Sequence, residues 1–147
     1  MFGSNKKKML CDLQGQIQAI NRSQAVIEFD LSGNILKANE NFLNVIGYTL
    51  TEIQGRHHSM FIDGNYKNSP EYDNFWASLR RGEFFSGEFK RYGKAGKEIW
   101  IQASYNPILD EEGKPYKIVK YATDVTGQKI LNADYSGPVS YTHLRAH

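Results

Sequence analysis

Glu98-Ile99-Trp100-Ile101-Gln102-Ala103-Ser104-Tyr105-Asn106-Pro107-Ile108 is the stretch whose reading decides the fold class. Ile99, Ile101, Ala103 and Tyr105 alternate with Trp100, Gln102, Ser104 and Asn106, and this period of two is that of a strand with one face turned to a core. On its N-terminal side, Lys94-Ala95-Gly96-Lys97 makes a turn, and residues 84–92 alternate in part. On its C-terminal side, Asp110-Glu111-Glu112-Gly113-Lys114 is a polar loop, and residues 116–125 form a last strand.

Upstream the texture is mixed. Val26, Ile27 and Phe29 predict a short strand, Asp30-Leu31-Ser32-Gly33-Asn34 a turn, and Ile35-Leu36-Lys37-Ala38 the returning strand of a hairpin. Asn39 can cap a short helix carrying Phe42, Leu43 and Ile46, with Gly47 as its stop. Thr49 and Glu52 have capping-box spacing, and Gly55 ends a second short helix. Ser69-Pro70-Glu71 starts the main helix, through Phe75, Trp76 and Leu79 to a stop at Gly82. Ahead of all this, Leu10, Leu13, Ile17 and Ile20 mark one seam of an N-terminal helix that docks on a sheet or pairs with a second copy. Helix, two strands, short helices and three strands together predict an α+β domain, one antiparallel sheet with helices over one face.

Composition narrows the function. The 147 residues suit one domain with short extensions. Eighteen basic and 16 acidic side chains leave a net charge of +2, which argues against a nucleic-acid partner. Cys11 is the only cysteine, so an intramolecular disulfide, a multi-cysteine metal site and an iron–sulfur cluster are excluded. No apolar run is long enough to span a membrane, and residues 1–8 lack the apolar segment of a secretory signal, so a cytoplasmic setting is the expectation. No nucleophile elbow, phosphate-binding loop or zinc-protease motif occurs, so the expectation is a non-enzyme with no catalytic residues and no metal. Glu111-Glu112 fall in a solvated turn and Lys6-Lys7-Lys8 in a solvated terminus. Aromatic residues reach 13%, which leaves two readings open: an aromatic core, or an interior that encloses a flat ligand.

Several phrases resemble the PAS sensor superfamily. They are the run from Asp30 to Asn39, Asn41-Phe42-Leu43-Asn44-Val45-Ile46-Gly47-Tyr48, Glu52-Ile53-Gln54-Gly55, Lys94-Ala95-Gly96-Lys97-Glu98-Ile99-Trp100 and Tyr121-Ala122-Thr123-Asp124-Val125-Thr126. Gly55-Arg56-His57-His58-Ser59-Met60-Phe61 and Ala103-Ser104-Tyr105-Asn106-Pro107 are similar to PAS domains of bacterial methyl-accepting chemotaxis and biofilm-dispersal receptors. The resemblance implies a five-stranded antiparallel sheet over residues 23–127, a flanking helix over 1–22, and a linker with a truncated, disordered tail over 128–147. It also implies a sensory module separated from its receptor signalling domain. Asp12-Leu13-Gln14-Gly15 and Asp134-Tyr135-Ser136-Gly137 echo each other where tandem PAS domains would begin. Pro138 to His147 departs from the family pattern, so His143 and His147 are not taken as site residues.

The same resemblance brings a cofactor question. FAD comes first, because Asn74-Phe75-Trp76-Ala77-Ser78-Leu79 is similar to a tryptophan-bearing helix of aerotaxis-type PAS domains, which hold FAD and sense redox state. Heme comes second, because His57 or His58 could offer one imidazole nitrogen to the iron. Photosensors of the superfamily form a flavin adduct through a cysteine, and a histidine of Gly55-Arg56-His57-His58 stands in its place, which rules that chemistry out. Candidate cofactor-binding residues are His57, His58, Phe61, Trp76, Phe89, Ile101 and Tyr105, with Gly87 and Ala103 leaving space and Arg91 at the rim for a phosphate or carboxylate. Trp100 is expected on the opposite face, under the N-terminal helix or a partner subunit, with self-association through that helix and the outer sheet face. The alternative is a ligand-free PAS interaction module whose aromatics fill the core and which serves dimerisation.

Overall fold

The alternating stretch is the longest strand of the protein. The computed structural model describes residues 2–136, and in it β4 (Glu98–Leu109) buries Ile99, Ile101, Ala103 and Tyr105 on one face. β3 (Phe85–Tyr92) runs antiparallel beside it and sets Phe85 opposite Tyr105, Phe89 opposite Ile101 and Arg91 opposite Ile99. β5 (Pro115–Asp124) pairs with the other edge of β4, placing Lys120 across from Tyr105. β1 (Ala25–Phe29) adds to β5 with Ile27 opposite Lys120, and β2 (Ile35–Ala38) closes the sheet. The order is β2-β1-β5-β4-β3, all antiparallel, so the last strand in sequence is the middle strand in space. The α+β class and the five strands are as expected from the sequence.

Short helices cross the inner face. α2 (Glu40–Ile46) starts where the Asn39 side chain accepts from the Phe42 N–H and stops at Gly47 in the left-handed region. α3 (Leu50–Ile53) carries the full Thr49–Glu52 capping box. After a 3₁₀ turn (His58–Phe61) and α4 (Gly64–Lys67) comes α5 (Pro70–Arg80), capped by Ser69 with Pro70 in its first turn. Three apolar side chains of α5, Phe75, Trp76 and Leu79, lie buried against Phe29, Phe85 and Tyr105. A fully buried side chain of this kind contributes about 1.5–3 kcal/mol, and the alternation of β4 supplies the floor on which they pack.

The two ends differ from the sequence reading. α1 (Phe2–Ser23) is held at its C-terminal end: the Asn39 and Asn41 amides donate to the carbonyls of Asn21, Arg22 and Gln24, which a helix end would otherwise leave unpaired. Ile17 and Ile20 border an open groove of about 440 Å³ on the outer sheet face, beside Val26, Val119 and Tyr121. The rest of the seam is not docked, and Met9, Leu10 and Leu13 are exposed. Trp100 is not under α1. Its partner is α6 (Thr126–Ser136): the Trp100 N–H donates to Thr126 Oγ1, its carbonyl accepts from the Val125 N–H, and the Lys129 ammonium lies 5.0 Å from the indole ring. Lys129 also pairs with Glu88 on β3. Residues 128–136, read as the start of a linker, are therefore helical, and the reading of 138–147 as a disordered tail falls outside the described residues. No helix among the described residues is long and apolar enough to cross a membrane.

Candidate functional site

The 3₁₀ turn pushes a histidine into the core. It is strapped to the start of β2, where the His58 N–H donates to the Gly33 carbonyl and the Ile35 N–H to the Arg56 carbonyl. The backbone thus directs the His58 ring inward, and the residue is completely buried. Its Nδ1 lies 2.7 Å from the Tyr72 hydroxyl on α5 and its Nε2 2.9 Å from the Tyr105 hydroxyl on β4. Arg91 Nη2 donates to the same Tyr105 hydroxyl at 3.0 Å, and Nη1 donates to the Lys90 carbonyl. The tautomer protonated on Nδ1 lets both hydroxyls of the chain and the guanidinium meet the ring in series. Tyr105 accepts from Arg91 and donates to Nε2, while Nδ1–H donates to Tyr72.

Burial, and after it the positive charges of Arg91 and Lys120, hold the His58 pKa well below its usual value, so the ring is neutral. Burial likewise raises both tyrosines, which stay protonated. Apolar rings enclose this polar chain: Phe29 and Trp76 meet the imidazole edge-on with centroids 5.3 and 5.4 Å away, and Phe61 stands at 6.2 Å.

Lys120 is the second buried basic side chain. It comes from the middle strand, is 1% exposed, and its ammonium lies 4.8 Å from the Tyr105 ring centroid and 5.9 Å from that of Phe42. No carboxylate forms an ion pair with Lys120 or Arg91 among the described residues. Arg91 Nε is buried without a hydrogen-bond partner. Burial, reinforced by Arg91, pulls the Lys120 amine well below its ordinary pKa. Both basic side chains border a void of only about 10 Å³, otherwise lined mainly by apolar side chains such as Phe42, Ile46, Phe61 and Ile101.

The residues singled out in sequence separate into three groups. His58 and Tyr105 form the polar chain, and Trp76 and Phe89 pack on it. Phe61, Ile101 and Arg91 line the void. Arg91 is 5% exposed and interior, not at the rim, because it sits across from Ile99 on the inward face of β3. His57 faces away from the core: its Nδ1 accepts from the Ser59 N–H, its Nε2–H donates to the Ser32 carbonyl, and it packs on the far side of Trp76. Tyr72 and Lys120 were missed. Lys120 occupies an inward position between Ile118 and Ala122, and a lysine breaking that alternation was the signal. Tyr72 continues the apolar face of α5 one turn before Trp76.

Gly33 makes room for this arrangement. Its φ is +92°, and a Cβ there would lie 2.7 Å from His57 Nε2 and 3.1 Å from the Trp76 ring. Gly33→Ala is expected to cost about 1–3 kcal/mol, read as a lower urea midpoint with a shifted Trp76 emission.

A family model described as PAS fold matches residues 35–122. The chain belongs to the PAS family. The biofilm dispersion protein BdlA of Pseudomonas aeruginosa is 44% identical to this PAS chain over 115 residues, 78% of the chain and 28% of that protein. The aerotaxis receptor of Escherichia coli K12 is 34% identical over 101 residues, 69% of the chain and 20% of the receptor. The PAS chain thus spans less than a third of the length of these two relatives. Among solved structures, the PAS domain of a protein from Colwellia psychrerythraea superposes with a TM-score of 0.66 at 22% identity, covering 78% of this chain and 98% of that one, a likeness of fold.

The interior of this PAS domain does not fit the cofactors that the sequence brought forward. Ligand pockets run to about 300–1,000 Å³, whereas the void between sheet and helices is about 10 Å³, so a three-ring flavin has no slot in this packing. Heme needs a free imidazole nitrogen, and both nitrogens of His57 and of His58 are engaged.

Proposed function

We propose that the chain is a sensory input module of a chemotaxis-type receptor, acting by binding and not by catalysis, with its output domain elsewhere in a longer protein. The observation that carries this reading is the polar chain Tyr72–His58–Tyr105–Arg91, which runs through an otherwise apolar core and joins the 3₁₀ turn, α5, β4 and β3. A small ligand that alters this chain shifts β4, and β4 is tied to α6 through Trp100, Thr126 and Lys129. A signal of this kind needs a differential affinity of only a few kcal/mol between two arrangements. The likeness to BdlA and to the aerotaxis receptor supports the receptor context.

FAD with redox sensing is the form that family resemblance puts first, but it requires the helical layer to lift from the sheet. The small-ligand form needs far less. The test is the absorption spectrum of protein purified without added cofactor. A colourless preparation is the expected result; a band near about 450 nm would replace the small ligand with flavin, and one at about 400–430 nm with heme.

A second reading, a ligand-free interaction module, is favoured by the exposed Leu10, Leu13 and Ile17 of the α1 seam, with Met9 beside them. It expects a dimer in sedimentation experiments that Leu13→Glu converts to monomer, with no small-molecule response in either form.

A further inference from the structure

The buried guanidinium of Arg91 and the buried amine of Lys120 lack the acidic partner that a closed core ordinarily provides. A buried charge is normally paired, and breaking a buried pair leaves a strongly unfavourable charge behind. Here Arg91 and Lys120 reach the same void from adjacent regions of the sheet's inner face, with no acidic side chain in an ion pair with either. Arg91 also directs an unpartnered Nε–H into the interior. Apart from Asp124, whose exposed carboxylate forms no ion pair with either, the rest of the lining, including Phe42, Ile46, Phe61 and Ile101, is apolar. Positive charge over a greasy wall is complementary to a short organic acid.

We infer that the ligand of the sensory interior is a short-chain monocarboxylate, its head held between Arg91 and Lys120 and its tail against Phe42 and Ile46. This deepens the proposed sensory function and rests on it. Carboxylate geometry suits the guanidinium, which presents donors in a fixed fork, and the ammonium supplies a compact second charge. The void of about 10 Å³ has room for about one water, so even a ligand of a few heavy atoms enters only as the seven-residue α2, which bounds one side, moves outward, and the smallest acids need the least movement. Charge selectivity follows from Asp124, which is exposed and borders the void with one carboxylate oxygen held by the Thr126 N–H. Its negative charge opposes a second carboxylate, so a monoanion is preferred to a dianion.

Binding is coupled to a proton. Lys120 faces Tyr105, Phe42 and Arg91, with His58 beyond Tyr105 and the exposed Asp124 on the same void, and burial among these groups favours the neutral amine. An arriving carboxylate restores the ammonium, so the complex takes up a proton and weakens as the pH rises.

The experiment compares propionate, its neutral isostere propionamide, and malonate, at matched ionic strength, by the thermal unfolding midpoint of the full chain. At about tenfold the dissociation constant, propionate is expected to raise the midpoint by about 5 °C, and propionamide and malonate by far less. Calorimetry in buffers of different ionisation enthalpy reads the proton uptake. Lys120→Met and Arg91→Met are expected to abolish the propionate shift, and Asp124→Asn to admit malonate. Lys120→Met keeps the fold, because it fills the same space without charge. Equal shifts from propionate and propionamide would leave an interior ligand site but overturn the role of charge. A propionate shift that survives Lys120→Met would place the acid elsewhere. No shift from any of the three compounds would overturn both the acid and the small-ligand form of the sensory reading.

Discussion

Replacing His58 by alanine is expected to lower the free energy of unfolding by about 3–5 kcal/mol, within the range of the largest core truncations. The ring is fully buried, contacts Phe29, Phe61 and Trp76, and is hydrogen-bonded through both nitrogens. Its removal opens a cavity and takes a partner from both the Tyr72 and the Tyr105 hydroxyl, each about 1–3 kcal/mol if left unsatisfied. His58→Phe separates the two effects, because it keeps the volume and loses only the polar contacts. The loss should then fall to about 2–3 kcal/mol, read by urea unfolding.

The same ring gives the stability a pH dependence of known sign. Its folded pKa is lowered, so between that value and about 6.5 the unfolded chain binds a proton that the folded chain does not. Stability is therefore complete above about pH 6.5 and falls as the pH drops below it, by up to about 1.4 kcal/mol per unit for this one group. In His58→Phe that part of the slope should vanish. A variant whose slope between pH 5 and 6.5 matches the wild type would show that His58 is not the group that titrates. Glu52 acts in a lower window: its bond to Lys94 depresses its pKa, and this contribution is lost only as the pH falls below the ordinary carboxylate range.

Local signals carried most of the fold. The alternation at Ile99, Ile101, Ala103 and Tyr105 specified which face of β4 is buried, because a slip of one residue would turn Trp100 and Gln102 inward. The caps at Asn39, Thr49 and Ser69 specified where three helices start, since each depends on a side chain and a backbone N–H three residues away. What failed was non-local. The outward direction of Trp100 is set by the strand and leaves α1 or a partner subunit as its cover, but which helix covers it is set by the path of the chain after Asp124. Arg91 is interior and not at the rim, because its position is paired with Ile99 on the inward face, which the arginine itself does not reveal, since arginine as a residue type is rarely buried. His57 and His58 could not be told apart, because the strap from Gly33 to the 3₁₀ turn decides which ring enters the core.

Lys120→Met is expected to act in the opposite direction from most core substitutions and to stabilise the protein by about 1–3 kcal/mol at neutral pH, the scale seen when buried charges give way to apolar side chains. Methionine is unbranched, fits the space of the lysine stem against Tyr105 and Phe42, and brings no charge into the centre of the sheet. Alanine would not be informative, since a hole in the middle strand would mask the gain. The pH profile identifies the cause. The Lys120 pKa is lowered in the folded state, so below its unfolded value near 10.5 the unfolded chain holds a proton that the folded chain tends to shed, and wild-type stability rises with pH through that window. The advantage of Lys120→Met should therefore be large at pH 7 and shrink towards pH 10.5. Urea midpoints measured at pH 7, 8.5 and 10 check this, and a gain that is absent, or constant across the three, would show that the buried amine carries no electrostatic penalty. A sheet that is more stable without its central lysine retains it for something other than folding. That position is where an anion would have the largest effect on the core, and the variant that gains stability should be the one that loses the response to propionate.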